Sequence, residues 1–194
     1  MSAPVASRVP ISNALRCFRR NRRGSAAIEF ALVAPVFFAL LFAIIETATM
    51  FFASQVLETV TQDSARLIQT GQVQKASPPF TQAQFQAYVC SQIPALFDCN
   101  KVYVDVESYS YQAGGFSNVV INSQIDASGN FINNMKYCPG NEGDIVVVRL
   151  FYQWPLFVTG LGYNISNLAG NQRLLAATAA FRNEPFPNAP PSAC

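Results

Sequence analysis

The stretch that decides the fold runs from Arg19 to Thr70 and reads RRNRRGSAAIEFALVAPVFFALLFAIIETATMFFASQVLETVTQDSARLIQT. A cluster of arginines leads into Gly24, and an almost unbroken apolar run then extends from Ala26 to Ala53. This run is longer than the ~20 residues that an α-helix needs to cross the hydrocarbon core of a membrane. The sequence therefore predicts a transmembrane helix.

The helical pattern continues beyond Ala53 without a break. Apolar residues recur there at helical spacing on one side, and polar residues occupy the other side. Gly71 then stands where a left-handed residue would end the helix. We therefore expect one continuous helix over residues 25–70. Its second apolar stripe consists of Val56, Leu57, Val60, Leu67 and Ile68.

The N-terminal segment resembles that of the TadE/TadG-like proteins of tight-adherence (Tad, or Flp) pili and, more broadly, type IV pilin-like precursors. The resemblance covers roughly residues 19–66. It rests on the glycine after the basic cluster, the carboxylate five residues later, the proline inside the apolar run and the Ile-Glu pair near its end. Softer matches lie at residues 138–148 and 182–186. The residues of the main match are Gly24, Glu29, Pro35, Ile45 and Glu46.

The resemblance implies that a membrane-embedded prepilin peptidase cuts between Gly24 and Ser25 from the cytoplasmic side. It also implies assembly roles for Glu29, Pro35 and Glu46. One position departs from the family pattern: a glycine and a basic residue are expected after Glu46, and this chain has TATM instead. The departure weakens the role assigned to Glu46. Pro35 admits a second interpretation, a kink without function.

Glu29 carries the main assembly hypothesis. A carboxylate inside a membrane is costly and usually marks function. Cleavage after Gly24 would create an ammonium group at Ser25, and Glu29 could pair with that group of a neighbouring, axially shifted subunit. The alternative is that Glu29 lies close enough to the lipid headgroups to stay hydrated.

The charges are distributed unevenly along the chain. Six of the thirteen basic residues precede Gly24, and the part after Gly24 holds seven basic and eleven acidic residues, a formal net charge of −4. This balance argues against binding to nucleic acid. Basic residues beside a membrane helix stay in the cytoplasm. We expect a single-pass protein of the bacterial inner membrane, with a cytoplasmic N-terminus and a periplasmic or extracellular C-terminal domain.

Cleavage by ordinary signal peptidase is a competing interpretation of the N-terminus. The apolar run is much longer than the ~7–15 residues of a signal-peptide core. The small-residue rule also fails at Ala53, because Phe51 lies two residues upstream. Both observations favour a retained membrane helix.

We expect three regions: a basic leader (1–24), the long helix (25–70) and a small α+β domain (71–194). The domain is predicted to contain one short helix over 81–93, with Thr81 as N-cap and Gln84 at the capping-box position. Alternating or continuous apolar patterns predict strands at 101–111, 144–154 and 174–181, which would form an antiparallel sheet. Residues 116–137 are predicted to be a long loop with one weak strand at most.

Four cysteines, Cys90, Cys99, Cys138 and Cys194, lie in the domain, and Cys17 lies in the leader. Four cysteines in an oxidising compartment indicate two disulfides, with three possible connectivities. Cys90–Cys99 is the natural local pair, which leaves Cys138–Cys194. Free thiols and a metal site remain weaker alternatives. The metal site is disfavoured because the chain has no CxxC spacing.

The residues that enzymes commonly use are missing. The chain has no histidine, which removes Ser-His-Asp and Cys-His catalysis and most zinc sites. It has no phosphate-binding glycine loop. The segment from Asp126 to Asn130 has the start of a calcium loop, but Tyr137 stands where the terminal glutamate belongs, so a turn is the better interpretation. We expect no enzyme activity, metal or cofactor.

The leading hypothesis is a non-enzymatic, pilin-like minor subunit of a Tad/Flp pilus that supports surface adhesion. Its expected partners are the membrane, other pilin-like subunits, the pilus assembly machinery and a prepilin peptidase. The alternative is a static, membrane-anchored assembly factor that is never polymerised. A third class, an exported enzyme, would need a pair of carboxylates, and no spacing makes one. The candidates are Asp98, Asp105, Glu107, Asp126, Glu142, Asp144 and Glu184.

Overall fold

The computed structural model describes residues 24–93, 96–111, 114–158 and 163–192. The predicted leader, with Cys17, lies outside these residues, and so do Pro94 and Cys194. The chain divides between Ile44 and Ile45 into two units. The predicted α+β fold is confirmed: a long apolar helix precedes a three-stranded antiparallel sheet with one short helix.

Helix α1 spans Ser25–Gln69 and includes Pro35 without interruption. Among the described residues it is the one helix whose length and composition suffice to span a membrane, and its most apolar window is fully unburied. The second part of α1 buries one face and exposes the other, as predicted. Its buried face consists of Met50, Ala53, Leu57, Val60, Ala65 and Ile68.

Helix α1 ends where Gly71 adopts a left-handed conformation, with φ of 74°. Any side chain at this position would be strained, and its Cβ would also collide with the ring of Phe186. The C-terminal tail therefore packs closely on the end of the helix. Glu184 fastens it there by donating its backbone N–H to the carbonyl of Gln69 at 2.9 Å. A one-turn helix, α2 (Gln72–Lys75), follows.

Helix α3 spans Gln82–Gln92 and begins with the predicted capping box between Thr81 and Gln84. Two glutamines one turn apart on this helix reach the edge of the first strand. Gln82 donates to the carbonyl of Val104 at 3.1 Å, and Gln86 donates to the carbonyl of Val102 at 2.8 Å. These side chains occupy carbonyls that would otherwise be open at a sheet edge.

The sheet has the order β1-β2-β3, with both pairs antiparallel. The strands are β1 (Val102–Tyr109), β2 (Ile145–Pro155) and β3 (Gln172–Arg182), each close to its predicted range. Strand β2 is central and buried on both faces, which explains its nearly continuous apolar sequence. Residues 116–137 belong to the predicted long loop, in which the structure has a short 3-10 helix at Gly115–Asn118 and isolated β-bridges rather than a full strand.

The core lies between one face of the sheet and helices α1 and α3. Side chains from α1 and α3, including Leu57, Ile68 and Phe85, belong to the same buried cluster as Val104 and Leu150 of the sheet. The opposite face of the sheet is covered by the loop that connects β1 to β2. The second half of α1 is thus part of the domain core rather than a simple linker.

We predict that Leu57→Ala lowers the free energy of unfolding of the domain by about 2–5 kcal/mol, because it leaves a cavity in the core. Leu57 is 1% exposed, and Leu40 of the same helix is 61% exposed. Leu40→Ala is therefore the matched control and should leave domain stability unchanged. Urea titration of the detergent-solubilised chain, followed by the fluorescence of Trp154, measures both variants. An equal loss of stability in Leu57→Ala and Leu40→Ala would show that the two halves of α1 do not differ in their contribution to the domain core.

Candidate functional site

The predicted processing site lies at the start of α1. Gly24 immediately precedes the first helical residue, Ser25, and both are exposed. A Cβ added at Gly24 would meet no atom of the described residues within 4 Å. The fold therefore does not require a glycine here, in contrast to Gly71. A glycine that folding does not need is consistent with a role in recognition by another molecule.

Glu29 lies one turn after Ser25 on α1. Its Oε1 accepts a hydrogen bond from the hydroxyl of Ser25 at 3.0 Å, and the pair is exposed. No described residue donates to the second carboxylate oxygen, Oε2. The structure thus places the two residues together, and among the described residues the second oxygen of Glu29 has no donor.

The apolar side chains that surround Glu29 and Pro35 have no protein cover. Large hydrophobic side chains are exposed on all sides of the helix from Ile28 to Ile45. A helix that is apolar all round and not buried within its own protein is typical of a membrane span. Its exposed side chains include Ile28, Phe30, Leu32, Val33, Val36, Phe37, Phe38, Leu40, Leu41, Phe42, Ile44 and Ile45.

Glu46 differs from Glu29 because it is only 7% exposed. Its carboxylate accepts the backbone N–H groups of Phe157 and Val158, the latter at 3.1 and 3.2 Å. The next residue, Thr47, forms a hydrogen bond with the hydroxyl of Tyr163. Glu46 therefore has an intramolecular role, because its carboxylate holds the backbone that follows β2. Its predicted role in assembly stays a prediction.

The predicted local disulfide joins Cys90 at the end of α3 to Cys99 before β1, with a Cα–Cα distance of 5.8 Å. It closes the connection between the helix and the sheet. Cys138 lies beside Ser108, with 2.7 Å between sulfur and hydroxyl oxygen. Because Cys194 lies outside the described residues, the Cys138–Cys194 pair stays a prediction.

Comparison with protein-family models gives one match, to the model described as TadE-like protein, over residues 24–66. This segment is TadE-like. The match begins at Gly24 and ends inside α1, so the TadE-like segment includes both the exposed apolar half of the helix and most of its core-facing half. The predicted family resemblance is confirmed for this segment. No curated protein and no solved structure gives a significant match.

A buried ion-pair cluster lies on the outer face of the sheet, which is the face that does not pack against helices α1 and α3. Arg149 of β2 contacts Asp105 at 2.6 Å and Glu107 at 3.1 Å, both on β1. Asp105 also accepts the backbone N–H of Lys136 at 2.8 Å. Lys136 Nζ also lies 3.8 Å from Glu107, so two cations balance the two carboxylates, and the cluster attaches the β1–β2 loop to the sheet. This arrangement is structural, because both carboxylates are engaged by protein donors.

In the sequence, Asp105 and Glu107 are carboxylates whose spacing predicts no catalytic pair, and the partner of both, Arg149, is not predicted. A signal was available: Arg149 is the only charged residue between Ile145 and Pro155, an otherwise apolar strand. Such a residue needs a partner when the strand is buried on both faces. Which carboxylate it meets depends on strand register, which places Asp105 directly opposite it.

The segment from Asp126 to Asn130 forms a turn. Asp126 Oδ1 accepts the backbone N–H groups of Ser128 and Asn130, both at 2.8 Å. Hydrogen bonds from the backbone and side chain of Asn130 hold the pKa of Asp126 below its ordinary value. The carboxylate is thus occupied by its own loop. No group of three or more potential metal ligands occurs in the described part of the chain.

We predict that Glu46→Ala loosens the segment after β2, because two backbone N–H groups lose a charged acceptor, an interaction of about 1.5–3 kcal/mol. Amide hydrogen exchange at Phe157 and Val158 should accelerate. Glu58→Ala is the control, since Glu58 lies on the same helix and is exposed. Unchanged exchange in Glu46→Ala would contradict the role assigned to this carboxylate.

Proposed function

We propose that the chain is a non-enzymatic, pilin-like minor subunit of a Tad/Flp pilus, in which it supports surface adhesion. The TadE-like family implies a Tad pilus-associated protein. TadE-like pilus proteins are structural proteins, and nothing in the cluster around Arg149 offers a free acid–base pair.

The observation that carries the proposal is the uncovered apolar surface of α1 between Ile28 and Ile45. Such a surface is stable in lipid, and it is equally suited to packing against other apolar helices when a subunit leaves the membrane. The second half of the same helix is already committed to the domain core. A subunit built in this way joins an assembly through the first half of α1 and keeps its domain folded throughout.

Processing would expose a new N-terminus. Hydrolysis of the peptide bond between Gly24 and Ser25 leaves a carboxylate on Gly24 and an ammonium group on Ser25. Among the described residues, none lies within 4 Å of a Cβ added at Gly24, which supports access by a peptidase. The absence of a side chain there would matter to the enzyme and not to the fold of the substrate.

Glu29 would then act in assembly. Its Oε1 is held by the hydroxyl of Ser25 in its own chain, which orients the carboxylate along the helix surface. Oε2 is available to the ammonium group of an axially shifted neighbour. Pairing two opposite charges in an apolar surrounding removes the cost of leaving either one alone. This pairing favours addition of a processed subunit in one register. Pro35 would shape the intervening helix.

The disulfide supports placement of the domain outside the cytoplasm, because disulfides persist in oxidising compartments. The arginines before Gly24 favour retention of the N-terminus in the cytoplasm. We therefore place the chain in a bacterial inner membrane with the domain after residue 70 on the periplasmic or outer side. Its partners there would be pilin-like subunits, the assembly machinery and the prepilin peptidase.

We predict that Gly24→Leu leaves an uncut precursor that still carries the basic leader, because the new side chain obstructs the scissile bond. N-terminal sequencing and intact mass of the native protein measure this. Ala31→Leu adds similar bulk to the exposed helix away from the bond and should be processed normally. If Gly24→Leu and the unmodified protein begin at the same residue, the proposed cleavage is wrong.

We predict that Glu29→Ala inserts into the membrane and is cut normally but is missing from sheared filaments. Losing one partner of a desolvated charge pair costs about 3–5 kcal/mol, so incorporation should fall by about two to three orders of magnitude. Glu29→Gln tests the charge itself, because it preserves shape and the contact with Ser25. It should fail in the same way.

Normal incorporation of both Glu29 variants would favour the alternative interpretation, in which Glu29 lies close enough to the lipid headgroups to stay hydrated. The static-anchor alternative has a separate test. A subunit of the filament is released with the filaments when cells are sheared, whereas an anchored assembly factor stays in the membrane fraction. Quantitative immunoblotting of the two fractions from unmodified cells separates these functions.

A further inference from the structure

Phe157 has the most exposed large apolar side chain of the described residues, at 85%. It lies in the loop that follows β2, two residues after the strand ends at Pro155. A single exposed apolar side chain needs no explanation by itself. The position of this one, and the hydrogen bonds of its loop, indicate what covers it.

The loop after β2 is held at the end of the proposed membrane span. About 20 residues of helix cross the hydrocarbon core, so a span that begins at Ala26 ends next to Glu46. The apolar run continues to Ala53, so the sequence offers no earlier exit from lipid. Phe157 and Val158 donate their backbone N–H groups to the carboxylate of Glu46. The loop therefore lies at the level where α1 leaves the hydrocarbon core.

The hydrogen bonds of this loop suit surroundings without water. In lipid, a backbone N–H group must find its acceptor within the protein. The two consecutive N–H groups of Phe157 and Val158 share one carboxylate, and that of Val158 lies 3.2 and 3.1 Å from its two oxygens. The same donors satisfy the charge of Glu46. One contact thus removes the cost of desolvating the donors and the cost of desolvating the carboxylate.

Tyr163 and the charge pattern also favour a place at the membrane boundary. The hydroxyl of Tyr163 forms a hydrogen bond with Thr47, the residue after Glu46. Tyrosine is enriched where membranes meet water, because its ring is apolar and its hydroxyl is polar. The sequence has no charged residue between Pro155 and Arg173. No side chain of this stretch is therefore charged and obliged to stay in water.

We propose that the loop after β2 is a second membrane contact of this chain, in which Phe157 enters the acyl-chain boundary of the leaflet on the side of the domain. Glu46 makes this possible by accepting the N–H groups that would otherwise need water. The partner is the lipid bilayer itself. The inference rests on the proposed placement of α1 in a membrane. Two contacts, rather than the helix alone, then limit how the domain turns relative to the bilayer.

Fluorescence quenching with the full chain in phosphatidylcholine nanodiscs tests the proposal. Phe157→Trp keeps the backbone N–H, and the unmodified chain, with Trp154 as its one tryptophan, supplies the baseline to subtract. Burying a side chain of this size favours the apolar environment by about tenfold or more, so most molecules should hold residue 157 in lipid. Lipids with brominated acyl chains should remove most of the added fluorescence, and iodide in the water should remove little.

Phe116→Trp is the matched control for an exposed ring away from the membrane. Phe116 is 61% exposed and follows β1, whose last residue, Tyr109, pairs with the first residue of β2. It therefore follows the end of the sheet opposite to Pro155. Iodide should quench Phe116→Trp strongly, and brominated lipid should leave it unchanged.

Phe37→Trp separates failure of this inference from failure of the proposed function, because Phe37 belongs to the uncovered first half of α1. If brominated lipid quenches Phe37→Trp and not Phe157→Trp, the inference is overturned while the membrane span stands. The loop is then a candidate surface for a protein partner. If brominated lipid quenches neither variant, the span itself is wrong, and the inference fails with it.

Glu46→Ala, combined with Phe157→Trp, tests the part assigned to the carboxylate. The two N–H groups lose their acceptor, so their entry into lipid becomes costly. Quenching by brominated lipid should fall, and quenching by iodide should rise. Glu58→Ala, an exposed position on the same helix, is the control and should change neither. Unchanged lipid quenching in Glu46→Ala would overturn the role of Glu46 in this contact.

Discussion

The packing of the second half of α1 into the domain core is the interaction on which the other features depend. Nothing else in the described chain offers the sheet a comparably long apolar surface, since α3 buries only Phe85 and Val89. Helix α1 therefore meets two requirements along its length. Its first half is apolar on all sides, and its second half is apolar on one side. The domain cannot be separated from the helix without exposing its own core.

The two glutamates of the apolar run illustrate this division. Among the described residues, Glu29 is exposed and accepts a hydrogen bond from Ser25, whereas Glu46 is buried and binds backbone N–H groups more than a hundred residues away in sequence. Both are carboxylates near an end of the same apolar run. Their surroundings differ because the domain begins to cover α1 between them. A glutamate that is already satisfied by its own chain has little free energy to gain from a neighbour, which leaves Glu29 as the better candidate for assembly.

Polar side chains hold the edges and loops of this small domain together through hydrogen bonds. Gln82 and Gln86 occupy the edge of β1, Arg149 attaches the long loop to the outer face of the sheet, and Asn183 Nδ2 donates to the carbonyls of Pro139 and Asn141. A sheet of three strands has two edges and extensive connecting loops, so many backbone groups need partners outside the ladder. Side-chain amides and the guanidinium group provide several of them.

Local physical rules made much of the fold predictable from the sequence. The apolar run, the capping box at Thr81 and the left-handed Gly71 depend on neighbours within a few residues, and they are found as expected. The strands were recognisable because β-branched residues either alternate with polar ones or run continuously. The cysteine spacing indicated the pair Cys90–Cys99 for the same reason, since a short loop holds the two sulfurs near each other.

Only the tertiary structure decided the partners of residues that are distant in sequence. Strand register sets Arg149 opposite Asp105, and the path of the chain after β2 brings Phe157 to Glu46. No local sequence pattern predicts these contacts, because each contact depends on how elements far apart in the chain pack together. The sequence by itself determined that α1 is long and apolar enough to span a membrane and that residues 24–66 resemble TadE-like proteins, since both are properties of one continuous stretch.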